Sequence, residues 1–96
     1  MKGYEIDFRS CKTYAELYER IIEGMDFPQW CGKNPDSIWD MLSSDIKIPA
    51  IIYLEGVNEI PNELSEHKDI ILKIFDRAHV WYKELGETVE VKMLEK

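Results

Sequence analysis

Hydrophobic and polar positions change period several times along this chain, and each change marks an element. Tyr4-Glu5-Ile6-Asp7-Phe8 alternates apolar and acidic side chains, the period of a strand with one wet face. From Tyr14 the spacing becomes helical. Tyr14, Leu17, Tyr18 and Ile21 return to one side and Gly24 supplies a stop, which predicts a helix over residues 14–23. Thr13 and Glu16 form a capping box ahead of it, with Thr13 accepting the Glu16 amide and Glu16 reaching back to the Thr13 amide. Residues 24–33 read as a loop, broken by Gly24, Pro28 and Gly32 but carrying Met25, Phe27, Trp30 and Cys31. A loop this apolar is either tucked in or made to touch something. Asn34 has the character of an N-cap, Pro35 suits the first helical position, and Asp36 meets the positive end of the helix dipole. A second helix follows from Pro35 to Ser43 or Ser44.

After Pro49, Ala50-Ile51-Ile52-Tyr53-Leu54 is apolar on both faces, the pattern of an inner strand of a parallel sheet. Pro61 limits the stretch from Gly56 to Leu64 to one short helix. Ser65 is placed to cap a long final helix whose Ile71, Ile74, Phe75, Ala78, Tyr82 and Leu85 form an apolar stripe ending at Gly86. Thr88-Val89-Glu90-Val91-Lys92-Met93 alternates again. The order β-α-α-β-α-α-β predicts an α/β fold: a three-stranded parallel sheet, strand 2 central, with about four helices packed mainly on one face.

Composition narrows the function. The 96 residues carry 12 Lys+Arg against 19 Asp+Glu, a net charge of −7. One domain spanning residues 1–96 is expected, because a second would be too short to bury its own core. An acidic surface disfavours nucleic-acid binding and suits a basic partner or simple solubility. The start MKGYEIDFRS lacks a signal layout and no apolar run approaches a membrane span, so a cytoplasmic location without membrane contact is expected. Cys11 and Cys31 have no metal-like spacing and are expected to be reduced thiols.

The second helix is where a purely structural account strains. At roughly 100° per residue, Ile38, Met41 and Leu42 share the core side while Asp36, Asp40 and Ser43 gather opposite, with Trp39 on the boundary. Asp36 and Asp40 are like charges at i,i+4, a small cost to the helix. Between Met25 and Asp45 stand four acids (Asp26, Asp36, Asp40, Asp45) and one base, Lys33, framed by Trp30 and Trp39. Two interpretations stand: a solvated polar face with a flanking Trp, or a protein-binding hot spot for a basic cleft.

The run Phe27-Pro28-Gln29-Trp30-Cys31-Gly32-Lys33-Asn34-Pro35-Asp36-Ser37-Ile38-Trp39-Asp40-Met41-Leu42 resembles the signature segment of the barstar family of bacterial ribonuclease inhibitors. That family's pattern is an apolar residue and Pro, an acid or amide, two aromatics, then Gly-x-Asn-x-Asp-x-apolar-Trp-Asp-x-Leu. Pro28, Gly32, Asn34, Asp36, Trp39, Asp40 and Leu42 match it at fixed spacing, and the element order is in register over essentially the whole chain. The resemblance implies a non-enzymatic, cofactor-free inhibitor, monomeric when free. Its loop and second helix would plug the cleft of a small basic extracellular ribonuclease, giving the producing cell immunity. It further implies that Asp40 takes the place of the RNA phosphate, that Asp36 faces the cleft and that Trp39 packs at the contact. Trp30 stands for a tyrosine that stacks on a catalytic histidine, and Gly32 and Asn34 shape the loop. The chain departs from the family at Arg77, with Asp76 beside it, where a glutamate is usual. Lys33 replaces an acid and Cys31 a second tyrosine. Lys33, Asp76 and Arg77 are therefore rim candidates.

Other chemistry is weaker. Asp36 and Asp40 without a third ligand make a poor Mg²⁺ site, and no metal is expected. His67 and His79 miss the i,i+4 spacing of shared ligation and are expected as solvated or rim residues. Cys31 lacks a His–acid pair in the sequence. Tyr14 with Tyr18, and Phe75 with Trp81 and Tyr82, are expected as core aromatics. The remaining functional alternative is an immunity or adaptor protein on the same scaffold that meets a partner other than a ribonuclease.

Overall fold

The computed structural model describes residues 1–94. Its elements are β1 (Lys2–Asp7), α1 (Tyr14–Gly24), α2 (Pro35–Ser44), β2 (Ala50–Glu55), α3 (Ser65–Glu84) and β3 (Val89–Leu94). Two 3₁₀ turns, Val57–Glu59 and Asn62–Leu64, occupy the place of the expected short helix, so the described residues form three α-helices rather than about four. Gly56 at φ 75° and Pro61 punctuate that stretch too closely for an α-helix to start.

The three strands are parallel in the order β1-β2-β3, with Tyr4 opposite Ile52 and Ile52 opposite Val91. Because the order runs in one direction, right-handed crossovers put every helix on the same face. That face buries Tyr4, Ile6, Ala50, Ile52, Leu54 and Val89. On the opposite face Gly3, Glu5, Glu90 and Lys92 are exposed, and Ile51 and Tyr53 are half-buried. An order that never reverses also lacks the crevice at which doubly wound sheets bind their ligands.

Several local expectations shift by a residue or more. Thr13 Oγ1 does accept the Glu16 amide, at 3.2 Å, but the Glu16 carboxylate returns to the Lys12 amide at 3.3 Å rather than to that of Thr13. Gly24 is the last residue of α1 and not its stop. Asp26 takes the left-handed conformation (φ 57°), with its amide bonded to the Glu23 carbonyl and the Phe27 amide to that of Ile22. Gly24 is instead required by packing, since a Cβ there would run into the Glu5 carbonyl and Ile6 of β1. Ser65 begins α3 without capping it, because the preceding 3₁₀ turn runs into the helix and the Ser65 amide bonds to the Asn62 carbonyl. Gly86 (φ 78°) does close α3. Leu85, assigned to the apolar stripe, occupies the C-cap and is exposed. Tyr14 is also exposed rather than in the core. It stacks on His67 with ring centroids 5.1 Å apart, while Tyr18 beneath it is buried.

One polar contact ties α3 to α2, and another closes the end of β1. The Tyr82 hydroxyl donates to the Leu42 carbonyl at 2.5 Å, satisfying one of the orphan acceptors in the last turn of α2. At the end of β1, Arg9 grips Asp7 with Nε at 3.0 Å and Nη2 at 2.9 Å. The side-chain hydrogen bonds from Arg9 hold the Asp7 carboxyl down to about 2 from 3.8.

Tyr82→Phe leaves the Leu42 carbonyl without its donor and is expected to cost about 1–3 kcal/mol in urea denaturation. The Asp7 contribution has a defined sign. Its folded pKa lies below the unfolded value, so its stabilisation is complete above about pH 3.8 and disappears as pH falls through about 2. Both side chains are more than a third exposed, so solvent weakens the pair and the effect is small. The stability difference between wild type and Asp7→Asn should narrow across that pH window in equilibrium unfolding and stay constant above it.

Candidate functional site

The loop from Met25 to Asn34 is fixed by what it buries and by its hydrogen bonds. Met25, Phe27 and Cys31 point into the core, and the Cys31 amide closes a turn onto the Pro28 carbonyl at 2.9 Å. Trp30 sits at the corner of this turn with 78% of its surface exposed. Trp30 follows the exposed Gln29 and precedes the buried Cys31, so the closed turn holds a large aromatic out in solvent, the kind of residue that anchors protein contacts. Gly32 lies close against the cap: a Cβ there would be 2.5 Å from Ser37 Oγ and 2.7 Å from Asn34 Nδ2, so those side chains would have to shift. The loop thus rests directly on the cap of α2.

That cap forms as the sequence predicts. Asn34 is extended and its Oδ1 accepts the Ser37 amide at 2.8 Å, with Pro35 in the first turn. Ile38, Met41 and Leu42 are buried, which turns Asp36 and Asp40 to solvent. Among the described residues neither carboxylate takes part in an ion pair or a side-chain hydrogen bond. Ser43 lies on the same helix, but its hydroxyl proton is directed at the Trp39 carbonyl 2.9 Å away.

Trp39 is half-buried between two residues of α3. Its ring meets Trp81 edge-on at 5.9 Å, and the Arg77 guanidinium carbon lies over it at 3.9 Å from the ring centre. Trp81 in turn meets Tyr82 at 4.8 Å. The Arg77–Trp39 contact escaped the sequence reading because it joins different helices. The only available signal was the i,i+4 spacing of Arg77 and Trp81, which places both on one face of α3. Lys33 was also incompletely read: its ammonium pairs with Glu19 of α1 at 2.7 Å, so its charge is largely matched within the chain. Asp76 lies on the other side of α3, lining a groove of about 440 Å³ between α3 and β3 with Leu72, Phe75, Val91 and Met93. No residue of α2 or its loop reaches that groove.

The two cysteines are buried free thiols, and burial pushes both above the ordinary thiol range, away from nucleophilic chemistry. His67 and His79 are half-buried rather than solvated. His67 contacts Tyr14 and Tyr18, and His79 Nδ1 lies 2.7 Å from the Val89 carbonyl. No group of three His, Cys, Asp or Glu among the described residues is arranged to hold a metal, and no described helix is long and apolar enough to cross a membrane.

A one-faced parallel sheet that holds out an acidic helix end and an aromatic loop defines a small α/β protein. Comparison of the sequence with family models matches residues 1–93 to barstar (barnase inhibitor), and the chain belongs to that family. It is a family of inhibitors, not enzymes. The chain is also similar to a protein of Bacillus subtilis (strain 168) named "Putative ribonuclease inhibitor YrdF", 25% identical over 84 residues, 88% of this chain and 92% of that one.

The cap gives a direct test of how the site is held. Asn34→Ala is expected to lower stability by about 1 kcal/mol, and Asn34→Asp or Asn34→Ser to restore most of it, as read from urea denaturation midpoints.

Proposed function

We propose that this chain is an inhibitor of a small basic extracellular ribonuclease, whose active-site cleft it plugs with the 25–34 loop and the exposed side of α2. The observation that carries this function is the pair Asp36 and Asp40, exposed and unpaired within the described chain, on a helix the fold holds rigid. Family membership and the name of the Bacillus relative point the same way.

On this proposal Asp40 stands in for a substrate phosphate among the basic groups of the cleft, and Asp36 adds to the attraction at its edge. Trp30 inserts as the exposed aromatic, Trp39 packs at the boundary, and Gly32 and Asn34 keep the loop in register. Ser43 accepts hydrogen bonds from the same partner, and Lys33 and Arg77 are rim residues, whereas Asp76, the other rim candidate, lines the groove between α3 and β3 and stays outside the contact. Opposite fields accelerate encounter, which suits an inhibitor that protects its producer. The chain acts as a single-domain monomer in the cytoplasm, without cofactor, conferring immunity to the producer's own toxin. It binds no nucleic acid, because its net charge of −7 repels phosphate backbones.

The test is inhibition of a panel of small bacterial ribonucleases by the wild type and by Asp40→Ala. The expected loss for Asp40→Ala is about 2 kcal/mol or more, roughly a thirtyfold rise in Ki, in a range drawn in part from this family's own complexes. Inhibition that is indifferent to this substitution would remove Asp40 from the site. Absence of inhibition across the panel would favour an immunity or adaptor protein for a different partner.

A further inference from the structure

Among the described residues Arg77 is the one cation over the Trp39 ring, and its surroundings are unusual for an arginine on an acidic protein. It is exposed on α3, next to Asp76 in sequence, and its guanidinium sits over an indole whose own neighbour in α2 is Asp40. Yet among the described residues it forms no ion pair, and none of its five N–H donors has an acceptor. The indole takes up one face of the group and excludes water there, while leaving the N–H donors unspent. The platform beneath is stiff. Trp39 is backed by Trp81, Trp81 by Tyr82, and Tyr82 is tied to the Leu42 carbonyl. Arg77 is therefore a pre-positioned fork, one face on the indole and its N–H donors open to solvent, of the kind that recognises carboxylates two bonds at a time.

The consequence concerns the partner. The surface is not uniformly negative around Trp39. It carries unpaired carboxylates on the α2 side and an unpaired guanidinium on the α3 side. A uniformly basic rim docked here would place a cation against Arg77, and like charges brought together at an interface are strongly disfavoured. We propose that the cognate partner presents a carboxylate to Arg77 beside the basic groups that receive Asp40 and Asp36, making Arg77 the residue that selects among ribonucleases. The proposal rests on the inhibitor function above and adds the charge pattern of the enzyme's rim.

Panels of purified small bacterial ribonucleases divide into those with uniformly basic cleft rims and those whose rim includes an Asp or Glu. The wild-type chain is expected to inhibit the second group at least tenfold more tightly. Arg77→Glu should reverse that preference, and Arg77→Gln should shrink it while leaving the circular dichroism spectrum and denaturation midpoint close to wild type. The association rate with the acid-bearing enzymes should fall for Arg77→Glu, most strongly at low salt. Equal ranking of the panel by wild type and Arg77→Glu, or a wild-type preference for the uniformly basic rims, would overturn the proposal. If Asp40→Ala still relieves inhibition in that case, the inhibitor function survives and only the role of Arg77 falls. If inhibition persists and neither substitution matters, Asp40 and Arg77 both leave the site; if no enzyme is inhibited, the inhibitor function and the role of Arg77 fall together.

Discussion

Helix α2 cannot hold itself together. It has ten residues, two like charges one turn apart, and no cation in its last turn. Isolated helices of that length are marginal in water even without such repulsion. Its stability comes from outside: from burial of Ile38, Met41 and Leu42, from the Asn34 cap, and from the seam where Trp39 meets Trp81 and Tyr82 reaches Leu42. The rest of the chain supplies that seam. The sheet sets the floor, α3 lies along it, and α2 is bound to α3 through aromatic and hydrogen-bonded contacts. Removal of the scaffold would leave the acidic turn with nothing to present it.

The same division explains which features could be seen from the sequence. The sheet, its parallel sense and its central strand were legible because alternation and a doubly apolar run are local patterns that burial of one face enforces. The cap at Asn34 and the outward turn of Asp36 and Asp40 were legible for the same reason, since helix geometry alone sorts them from Ile38, Met41 and Leu42. What was missed depends on partners distant in sequence. The exposure of Tyr14 is decided by His67 on another helix, the pairing of Lys33 by Glu19, and the placement of Arg77 by an indole from α2. Gly24 shows a subtler failure. A glycine near a helix end suggests a turn, but here close packing against β1 claims it and Asp26 adopts the positive φ instead.

The one-directional strand order also separates two kinds of surface. Helices on a single face leave the other side of the sheet with a mixed, half-buried row of Ile51 and Tyr53 among charged neighbours. The acidic and aromatic surface lies on α2 and its loop, on the helical side. The proposed contact surface and the scaffold therefore occupy different parts of a small molecule, and Asp40 and Arg77 are at exposed positions outside the core.

The loop that carries Trp30 begins at the hydrogen-bonded left-handed turn of Asp26 and ends at the Asn34 cap, with a closed turn between. Every stretch of it is anchored before any partner arrives. Ordering a flexible segment costs about 1–2 kcal/mol per residue in backbone entropy, and a loop that froze only on contact would subtract that sum from its affinity. Here that loss is absorbed during folding, offset by the burial of Met25, Phe27 and Cys31. Those three buried side chains hold Trp30 out in one place, so that on the proposed function little of its contact energy would be spent on ordering the loop.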